Sequence, residues 1–489
     1  MDMFFEILWD VIRFPFQHLL VINCILSIVI IFFQRKNPTS VWTWLLILYF
    51  VPIVGFVFYL LLGEDMHKRK MFRTKEVEDR IHEAIRSQVA SIETKELQEE
   101  FPQLKKYSDL IYYNLESSGA MLTDNNRIKV FTDGNKKFDA LIEDMKRAEK
   151  FIHIQYYIIK NDVLFARIKD VLMEKAKEGV EVRILYDGMG GRFVSPKCWQ
   201  ELRACGIRTA VFFPPLLGWL HLRMNYRNHR KIAVIDGIIG YVGGFNIGRE
   251  YIGLDEKFGH WRDTHLRLEG TAVSGLQLRF VLDWNYAARE NLFSEEKYFK
   301  ITEEHVGSSD VQIVSSGPDS KLQNVRNNYL NLIHKAEKSI YIQTPYFVPD
   351  EAVYHALIMA IYSGVEVHIM IPCMPDHPFV YWATYSYIGD MIMAGAKCYV
   401  YNNGFLHAKG LIVDDEVYCY GTANMDNRSF RLNFEVNAIV YDEKEAEKMV
   451  DIFKKDLEEC TQITKDKYAS RGVLVRFREQ VSRLLSPLL

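Results

Sequence analysis

The sequence predicts an α/β protein made of two homologous lobes, preceded by a two-helix transmembrane hairpin. Three observations support this: a short motif that occurs twice, longer segments that recur around it in the same order, and two uncharged apolar stretches near the N-terminus. A chain of 489 residues is also too long for one ordinary core. We expect each lobe to have α/β/α layers and the two lobes to pack with pseudo-twofold symmetry.

The N-terminal stretches suit a bilayer better than water. There are 21 uncharged residues between Arg13 and Arg35, and 27 between Lys36 and Glu64. Because about 20 apolar residues span a bilayer as a helix, residues 1–63 are predicted to form a hairpin with an interfacial segment before it. A cleaved signal peptide followed by a core helix is the alternative, and the acidic start of the chain argues against it.

The cations that flank the hairpin indicate its orientation. More of them follow the second stretch than lie in the turn: Lys68, Arg69, Lys70, Arg73 and Lys75. Positive charge favours the cytoplasmic side, so we expect a multi-pass protein of the cell membrane whose body faces the cytoplasm. The predicted divisions after the hairpin are a helical connector at 64–125 and the two lobes at 126–300 and 301–489.

Internal repetition predicts the two lobes. Ala148–Gln155 resembles Ala336–Gln343 at an offset of 188, and Gly179–Val182 reappears as Gly364–Val367 at an offset of 185. Near-equal offsets in the same order indicate two homologous halves, each too long to be a solenoid repeat. Each half runs from an apolar strand through a helical stretch to a β-rich region, which is typical of an α/β fold.

The motif H-x-K-x-x-x-x-D occurs once in each half. Its copies are His229, Lys231 and Asp236, and His407, Lys409 and Asp414. An asparagine follows each histidine after 17 residues, Asn246 and Asn424, in a turn of small residues. One copy would be weak evidence of a site, whereas two matched copies supply two imidazoles, two cations and two amides that could surround one phosphate.

These side chains suit phosphodiester chemistry without a metal or cofactor. A phosphodiester repels nucleophiles and has a poor leaving group, so covalent catalysis divides the reaction into two displacements. One neutral imidazole can attack phosphorus while a second imidazolium protonates the departing oxygen. The residues alone leave open which histidine attacks. The lysines would neutralise the non-bridging oxygens.

Composition excludes some other functions. The net charge is only −3, with 60 basic and 63 acidic residues, so no global basic field favours nucleic acid. The seven cysteines are scattered without a C-x-x-C pair, which is typical of neither a disulfide framework nor a zinc site. The oligomeric state cannot be deduced from these features.

The paired motifs resemble those of the phospholipase D superfamily, and the surrounding segments resemble its bacterial cardiolipin synthases. These segments are Asn225–Lys231, Gly243–Gly248, Trp261–His265, Gln343–Phe347 and Pro375–Val380. The resemblance implies phosphatidyl transfer between two phosphatidylglycerol molecules at an anionic membrane, giving cardiolipin and glycerol. A membrane-bound hydrolase of the same superfamily is the alternative, because water and an alcohol compete for one intermediate.

The resemblance also implies individual roles. His229 would be the nucleophile and His407 the general acid, and the motif aspartates would help to organise the site. An additional acid would orient each histidine. Glu435 has the family's usual spacing of 28 residues after His407. In the first half the nearest fitting acid is Asp263, at a longer spacing. We expect both acids, with Asn246 and Asn424, to support substrate binding.

The sequence also predicts the surroundings of one histidine, one apolar run and the C-terminal segment. His153 alternates along an apolar strand and is expected to be a core residue. The apolar run Phe212–Leu220 contains two prolines, which favours a membrane-dipping loop over a buried element. Residues 471–489 predict a basic amphipathic helix, which could either lie on anionic lipid or pack against the body.

Overall fold

The computed structural model describes most of the chain beyond residue 101 and parts of the N-terminal segment. The described residues are 21, 23–31, 38–51, 55, 59, 102–214, 225–299, 304–320 and 322–486. The chain divides into two compact units, one formed by residues 1–71 and 215–226 and the other by residues 72–214 and 227–489.

In the first unit, the described parts of the two apolar stretches contact each other. Residues 23–31 are helical, and helix α1 spans Pro38–Phe50. The amide of Asn23 donates to the carbonyl of Leu48 at 3.1 Å, and Leu48 shares a small core with Ile30 and Trp44. Within the described ranges, no helix is long and apolar enough to cross a membrane. The interfacial segment, the turn and much of the predicted hairpin lie outside these ranges.

The second unit contains a mixed sheet, and the first half of the chain contributes eight of its strands. The strands are β1 (Leu122–Asp133), β2 (Phe151–Tyr156), β3 (Glu181–Asp187), β4 (Arg208–Phe212), β5 (Arg227–Asn228), β6 (Ile232–Ile235), β7 (Ile239–Gly243) and β8 (Trp261–Gly270). The order across the sheet is β4-β3-β2-β6-β7-β8-β1. β2, β3 and β4 are parallel, and the remaining pairs are antiparallel.

The second half repeats this order. Its strands are β9 (Ser309–Ser316), β10 (Ser339–Gln343), β11 (Phe347–Val348), β12 (Glu366–Pro372), β13 (Lys397–Tyr401), β14 (Phe405–Leu406), β15 (Gly410–Val413), β16 (Val417–Gly421), β17 (Met425–Asp426), β18 (Asn433–Tyr441) and β19 (Cys460–Ile463). The order is β13-β12-β10-β15-β16-β18-β9, again with the first three strands parallel. The α/β fold predicted from the sequence is therefore confirmed.

Helices pack on both faces of the sheet. They are α2 (Ser108–Ser118), α3 (Gly134–Lys146), α4 (Val163–Lys177), α5 (Pro196–Ala204), α6 (Val273–Ala288), α7 (Asn324–Lys335), α8 (Glu351–Tyr362), α9 (Pro378–Ala394), α10 (Asn427–Arg431), α11 (Glu443–Leu457), α12 (Lys465–Ala469) and α13 (Val473–Leu484). Short 3₁₀ turns occupy Pro102–Tyr107, Gly190–Phe193, Arg249–Ile252, Leu292–Ser294 and Glu296–Phe299.

Strand β2 illustrates how the sequence specifies both faces. Successive side chains of a strand point to opposite sides. Ile152 and Ile154 enter the core beneath α3 and α4. His153, between them, points to the other face, where its ring stacks on Phe280 of α6 at 4.4 Å and is fully buried. The prediction that His153 is a core residue is confirmed.

The two halves join through β9, which pairs antiparallel with both β1 and β18. β1 begins at Leu122, before the predicted boundary at 126. The described end of the predicted connector is not a free spacer, because Tyr107, Leu110 and Leu115 are buried in a core shared with the second half.

The predicted membrane loop at Phe212–Leu220 is corrected at its start. Phe212 and Phe213 are both buried, and their rings pack near Phe434 at 5.1 and 5.8 Å. These two residues therefore belong to the core. Residues 215–220 lie outside the described ranges.

Candidate active site

Each motif histidine lies where strands from the two halves meet. β5 runs parallel to the start of β18, and the backbone N–H of His229 donates to the carbonyl of Phe434 at 3.0 Å. β14 runs parallel to the start of β8 in the same way, and the N–H of His407 donates to the carbonyl of Arg262 at 2.7 Å. The backbone of each histidine is thus held by the opposite half.

The two supporting acids also cross between the halves. Both carboxylate oxygens of Glu435 lie 3.0 Å from Nδ1 of His229, and Oδ2 of Asp263 lies 2.5 Å from Nδ1 of His407. The hydroxyl of Thr422 also donates to Glu435 at 2.6 Å. A carboxylate on Nδ1 fixes the tautomer and leaves Nε2 for chemistry.

The resemblance implied an acid that orients each histidine, and Asp263 and Glu435 contact the imidazoles, each in the other half. Both side chains are fully buried, so any part that they have in substrate binding would act through the histidines. Burial alone would raise their pKa values. The charge of Lys409 and the contact with His407 instead hold the pKa of Asp263 below its usual value, and His229 and Lys231 do the same for Glu435. Both acids are therefore suited to remain anionic and orient the histidines.

The motif lysines are buried beside their own histidines. Nζ of Lys231 donates to the carbonyl of His229 at 2.6 Å, and Lys409 makes the equivalent bond to His407. Burial lowers the pKa of Lys409 to about 8 and the pKa of Lys231 well below its usual value. An incoming anion would restore both charges, because an opposite charge favours the protonated form.

The four motif side chains influence one another's protonation. Burial lowers the pKa of His229 and lowers that of His407 to about 4, and the charges of both lysines contribute to each shift. Both imidazoles therefore favour the neutral form. A phosphodiester anion between them would favour protonation of one ring, which is the state that the predicted chemistry requires.

The two asparagines occupy the same region but are held by protein groups. Asn246 accepts from the N–H of Ile158 at 3.1 Å and donates to the hydroxyl of Tyr251 at 2.9 Å. The Tyr251 ring lies 6.3 Å from that of His407. Asn424 donates to Asp426 at 3.1 Å. Each amide nitrogen has a second N–H, so a role in holding a phosphate oxygen remains a prediction.

The motif aspartates, which the resemblance expects to help organise the site, bind backbone N–H groups of neighbouring segments and not the histidines. Asp236 accepts from the backbone N–H groups that lead into β2, at 2.8 Å. Asp414 accepts in the same way before β10, at 2.7 to 3.2 Å, and also contacts Lys106 at 2.7 Å. Both adopt positive φ, 54° and 56°. They brace the turn that follows β6 or β15 against the neighbouring strand.

Sequence reasoning did not identify two buried arginine–aspartate pairs. Nη1 of Arg230 lies 2.6 Å from both oxygens of Asp283, while Nε donates to the carbonyl of Glu435 at 3.1 Å. Arg262 of β8, in the first half, binds Asp456 of α11, in the second half, at 2.6 Å. Arg230 thus reaches the second half at the carbonyl of Glu435, and Arg262, next to Asp263, reaches it at Asp456.

The repeated glutamines were the signal that could have revealed these pairs. Gln155 donates to Asp283 at 2.6 Å, and Gln343 donates to Asp456 at 2.7 Å. The two glutamines occupy matching positions at the ends of the repeated segments. A buried polar residue that recurs at the end of an apolar strand predicts a partner in each half.

Two H-x-K motifs that share one buried site in a duplicated α/β fold define a phospholipase D-like protein. Residues 141–258 and 329–457 match the family model for the cardiolipin synthase, PLD-like domain, and residues 21–64 match the phospholipase D-nuclease N-terminal model. The chain belongs to the cardiolipin synthase family of phospholipase D-like proteins.

Individual relatives agree with this assignment. The chain is 48% identical to a cardiolipin synthase of Oceanobacillus iheyensis and 48% identical to the major cardiolipin synthase of Bacillus subtilis, in each case over 96% of this chain and 98% of the relative. The fold is also that of phosphatidylserine synthase from Haemophilus influenzae, with a TM-score of 0.59 over 78% of this chain and 99% of that one, at 14% identity.

Proposed function

We propose that this protein synthesises cardiolipin by moving a phosphatidyl group from one phosphatidylglycerol to the headgroup hydroxyl of another, with release of glycerol. The observation that carries the proposal is a pair of histidine–acid contacts between the two halves, Glu435 with His229 and Asp263 with His407. They orient two imidazoles in one lysine-lined site. The cardiolipin synthases that resemble the chain over nearly its full length support the choice of substrate.

In the first displacement, Nε2 of His229 attacks phosphorus and the bond from phosphorus to the headgroup oxygen breaks. His407, protonated when the anionic lipid binds, gives its proton to that oxygen, and glycerol leaves. Lys231 and Lys409 hold the non-bridging oxygens as charge develops. The choice of His229 as nucleophile and His407 as general acid follows the family resemblance, because each histidine is held by an equivalent buried acid.

In the second displacement, a hydroxyl of another phosphatidylglycerol enters the place that glycerol left. Nε2 of His407 takes the hydroxyl proton, the oxygen attacks phosphorus, and the bond to His229 breaks. Cardiolipin results, and the starting protonation states return. The steps are chemically alike in both directions, so the transfer is reversible.

The catalytic unit is proposed to act at the cytoplasmic face of the cell membrane. The contact between Asn23 and Leu48 supports a hairpin within residues 1–63, as does the N-terminal family match at 21–64. The repeated strand order supports two lobes at 126–300 and 301–489, related by a pseudo-twofold axis. A connector at 64–125 would join membrane and body.

An assay of the purified protein in phosphatidylglycerol vesicles tests this function. We expect cardiolipin and glycerol in equal amounts. Phosphatidic acid with glycerol would instead indicate the hydrolase, and the absence of any phosphatidylglycerol turnover would contradict both. Changing His229 or His407 to alanine should each abolish the product, whereas the same change at the exposed His305 should not. Activity should survive a chelator, because the two lysines neutralise the phosphate.

A further inference from the structure

Helix α13 packs against the protein through its polar side. Glu479 and Ser482 are buried, and Arg483 binds Asp390 of α9 at 2.7 Å. Arg471, just before the helix, holds Glu479 at 2.8 Å. The pair of Arg483 and Asp390 therefore joins the polar side of α13 to α9, while the pair of Arg471 and Glu479 holds the start of the helix.

The fit of the preceding segment strengthens this docking. Tyr468 of α12 lies against Gly389 of α9 so closely that a β-carbon at Gly389 would overlap the tyrosine ring. Arg478 lies over Trp382 at 5.7 Å, and Arg483 lies over Tyr387 at 4.3 Å. The C-terminal segment is thus a fixed part of the fold.

As a consequence, the apolar side of α13 faces away from the protein. Its exposed side chains are Val473 (82%), Leu474 (73%), Phe477 (66%), Val481 (38%) and Leu484 (81%). At 100° per residue they form one stripe of roughly 100°. A surface helix of a soluble domain normally turns such a stripe toward the core, so this inverted orientation points to an apolar partner.

The charges beside the stripe indicate which partner. Arg476 and Arg478 are exposed and lie on opposite sides of it. Arginines that flank an apolar face can extend to lipid headgroups while the apolar side chains enter the acyl region. Positive charge on both borders is complementary to an anionic bilayer.

The far end of α13 is hydrogen-bonded to the segment that follows Asn424. The side chain of Asn427 donates to the carbonyl of Ser486 at 3.1 Å, two residues after the helix ends. Asn427 begins α10, only three residues after the site residue Asn424. A bilayer bound along the stripe would therefore meet the same lobe that carries Asn424 and His407.

We propose that α13 is a membrane-docking face that binds an anionic lipid bilayer and orients the catalytic unit on it, separately from the N-terminal hairpin. The inference deepens the proposed function, on which it rests, because a lipid substrate must leave the bilayer at this site. A second copy of the chain and the chain's own N-terminal segment are the other candidates to cover the stripe.

Photocrosslinking of the full-length protein in vesicles distinguishes these occupants. A benzophenone amino acid replaces Phe477, or Leu254 as a control, since Leu254 is an exposed apolar residue of the first half (57%). Both proteins also carry His229→Ala, so the result does not depend on catalysis. We expect lipid adducts at position 477, in vesicles that contain phosphatidylglycerol, and none at 254.

Other results would overturn the proposal. Adducts to protein at position 477, in the same chain or a second copy, would replace the bilayer with that partner. Equal lipid labelling at 254, or equal labelling in phosphatidylcholine vesicles, would contradict a specific anionic docking face. No adduct at 477 would contradict docking altogether.

Kinetics in the active protein provide a second measurement. Leu474→Ser with Phe477→Ser should lower the rate on vesicles at least roughly tenfold, because two apolar side chains no longer enter the bilayer. The rate on monomeric short-chain phosphatidylglycerol should not change, and Leu254→Ser should alter neither. Loss on both substrates would indicate a structural role and contradict the proposal. If neither substrate is converted by the unmodified protein, the proposed function fails, while the crosslinking result still stands.

Discussion

Glu435 belongs to the second half of the chain, yet both of its carboxylate oxygens lie 3.0 Å from Nδ1 of His229 in the first half. Asp263 makes the reciprocal contact with His407. Neither half therefore contains a complete histidine–acid pair. The active site exists only when the two halves are assembled.

The crossed acids predict the effect of neutral replacements. Glu435→Gln and Asp263→Asn keep the size of each side chain but remove the charge that orients the imidazole, so we expect kcat to fall by roughly 10²- to 10⁴-fold in each variant. Steady-state kinetics should be compared with thermal unfolding of the same proteins. A kcat within a few-fold of the parent, in a folded variant, would contradict the orienting role.

The pKa of Lys409 predicts an alkaline limit. Burial lowers this pKa to about 8, so the free enzyme loses one cation as the pH rises through that value. We expect kcat/KM for phosphatidylglycerol to fall over the same range. Arginine keeps its charge there, so the profile of Lys409→Arg should lack this limb, whatever its residual activity. An identical limb in both proteins would assign the titration to another group.

The motif aspartates predict a loss of stability without a loss of chemistry. Asp414 accepts three backbone N–H groups and contacts Lys106. Asp414→Asn should therefore lower the free energy of unfolding by about 1–3 kcal/mol, while kcat of the folded protein stays nearly unchanged. Denaturant titration and kinetics on one preparation test this. A large fall in kcat at full stability would restore a catalytic role.

The buried pair of Arg230 and Asp283 predicts strong coupling. Arg230→Met leaves the Asp283 carboxylate buried without its cation and should cost about 3–5 kcal/mol of stability. Adding Asp283→Leu should recover part of this loss, because the double variant buries no unpaired charge. A double-mutant cycle measures the coupling, and additive losses would show that the two residues act independently.

Much of the fold and site was accessible from the sequence because duplication leaves a readable pattern. The matched offsets predicted two α/β halves, and the paired H-x-K motifs predicted side chains that the structure brings into one site. The apolar residues on either side of His153 predicted that it lies in the core, because a strand that is buried on both faces has its whole sequence inside the protein.

Other features depend on packing between distant segments and could not be predicted. The spacing of Glu435 after His407 suggested a partner in the same motif, but strand pairing across the halves decides which imidazole it reaches. The H-x-K-x-x-x-x-D pattern did not reveal that Asp236 and Asp414 adopt positive φ in turns. The apolar period of α13 predicted an amphipathic helix, whereas its direction depends on ion pairs such as Arg483 with Asp390.

The central claim is that two imidazoles act on one phosphorus atom, with His229 as nucleophile. A phosphatidyl ester of p-nitrophenol needs no general acid for its departure. With this substrate, His407→Ala should release one equivalent of nitrophenolate in a rapid burst, and mass spectrometry should find the phosphatidyl group on His229. His229→Ala should give neither burst nor adduct. A burst in His229→Ala, or a burst in His407→Ala without an adduct on His229, would contradict the account.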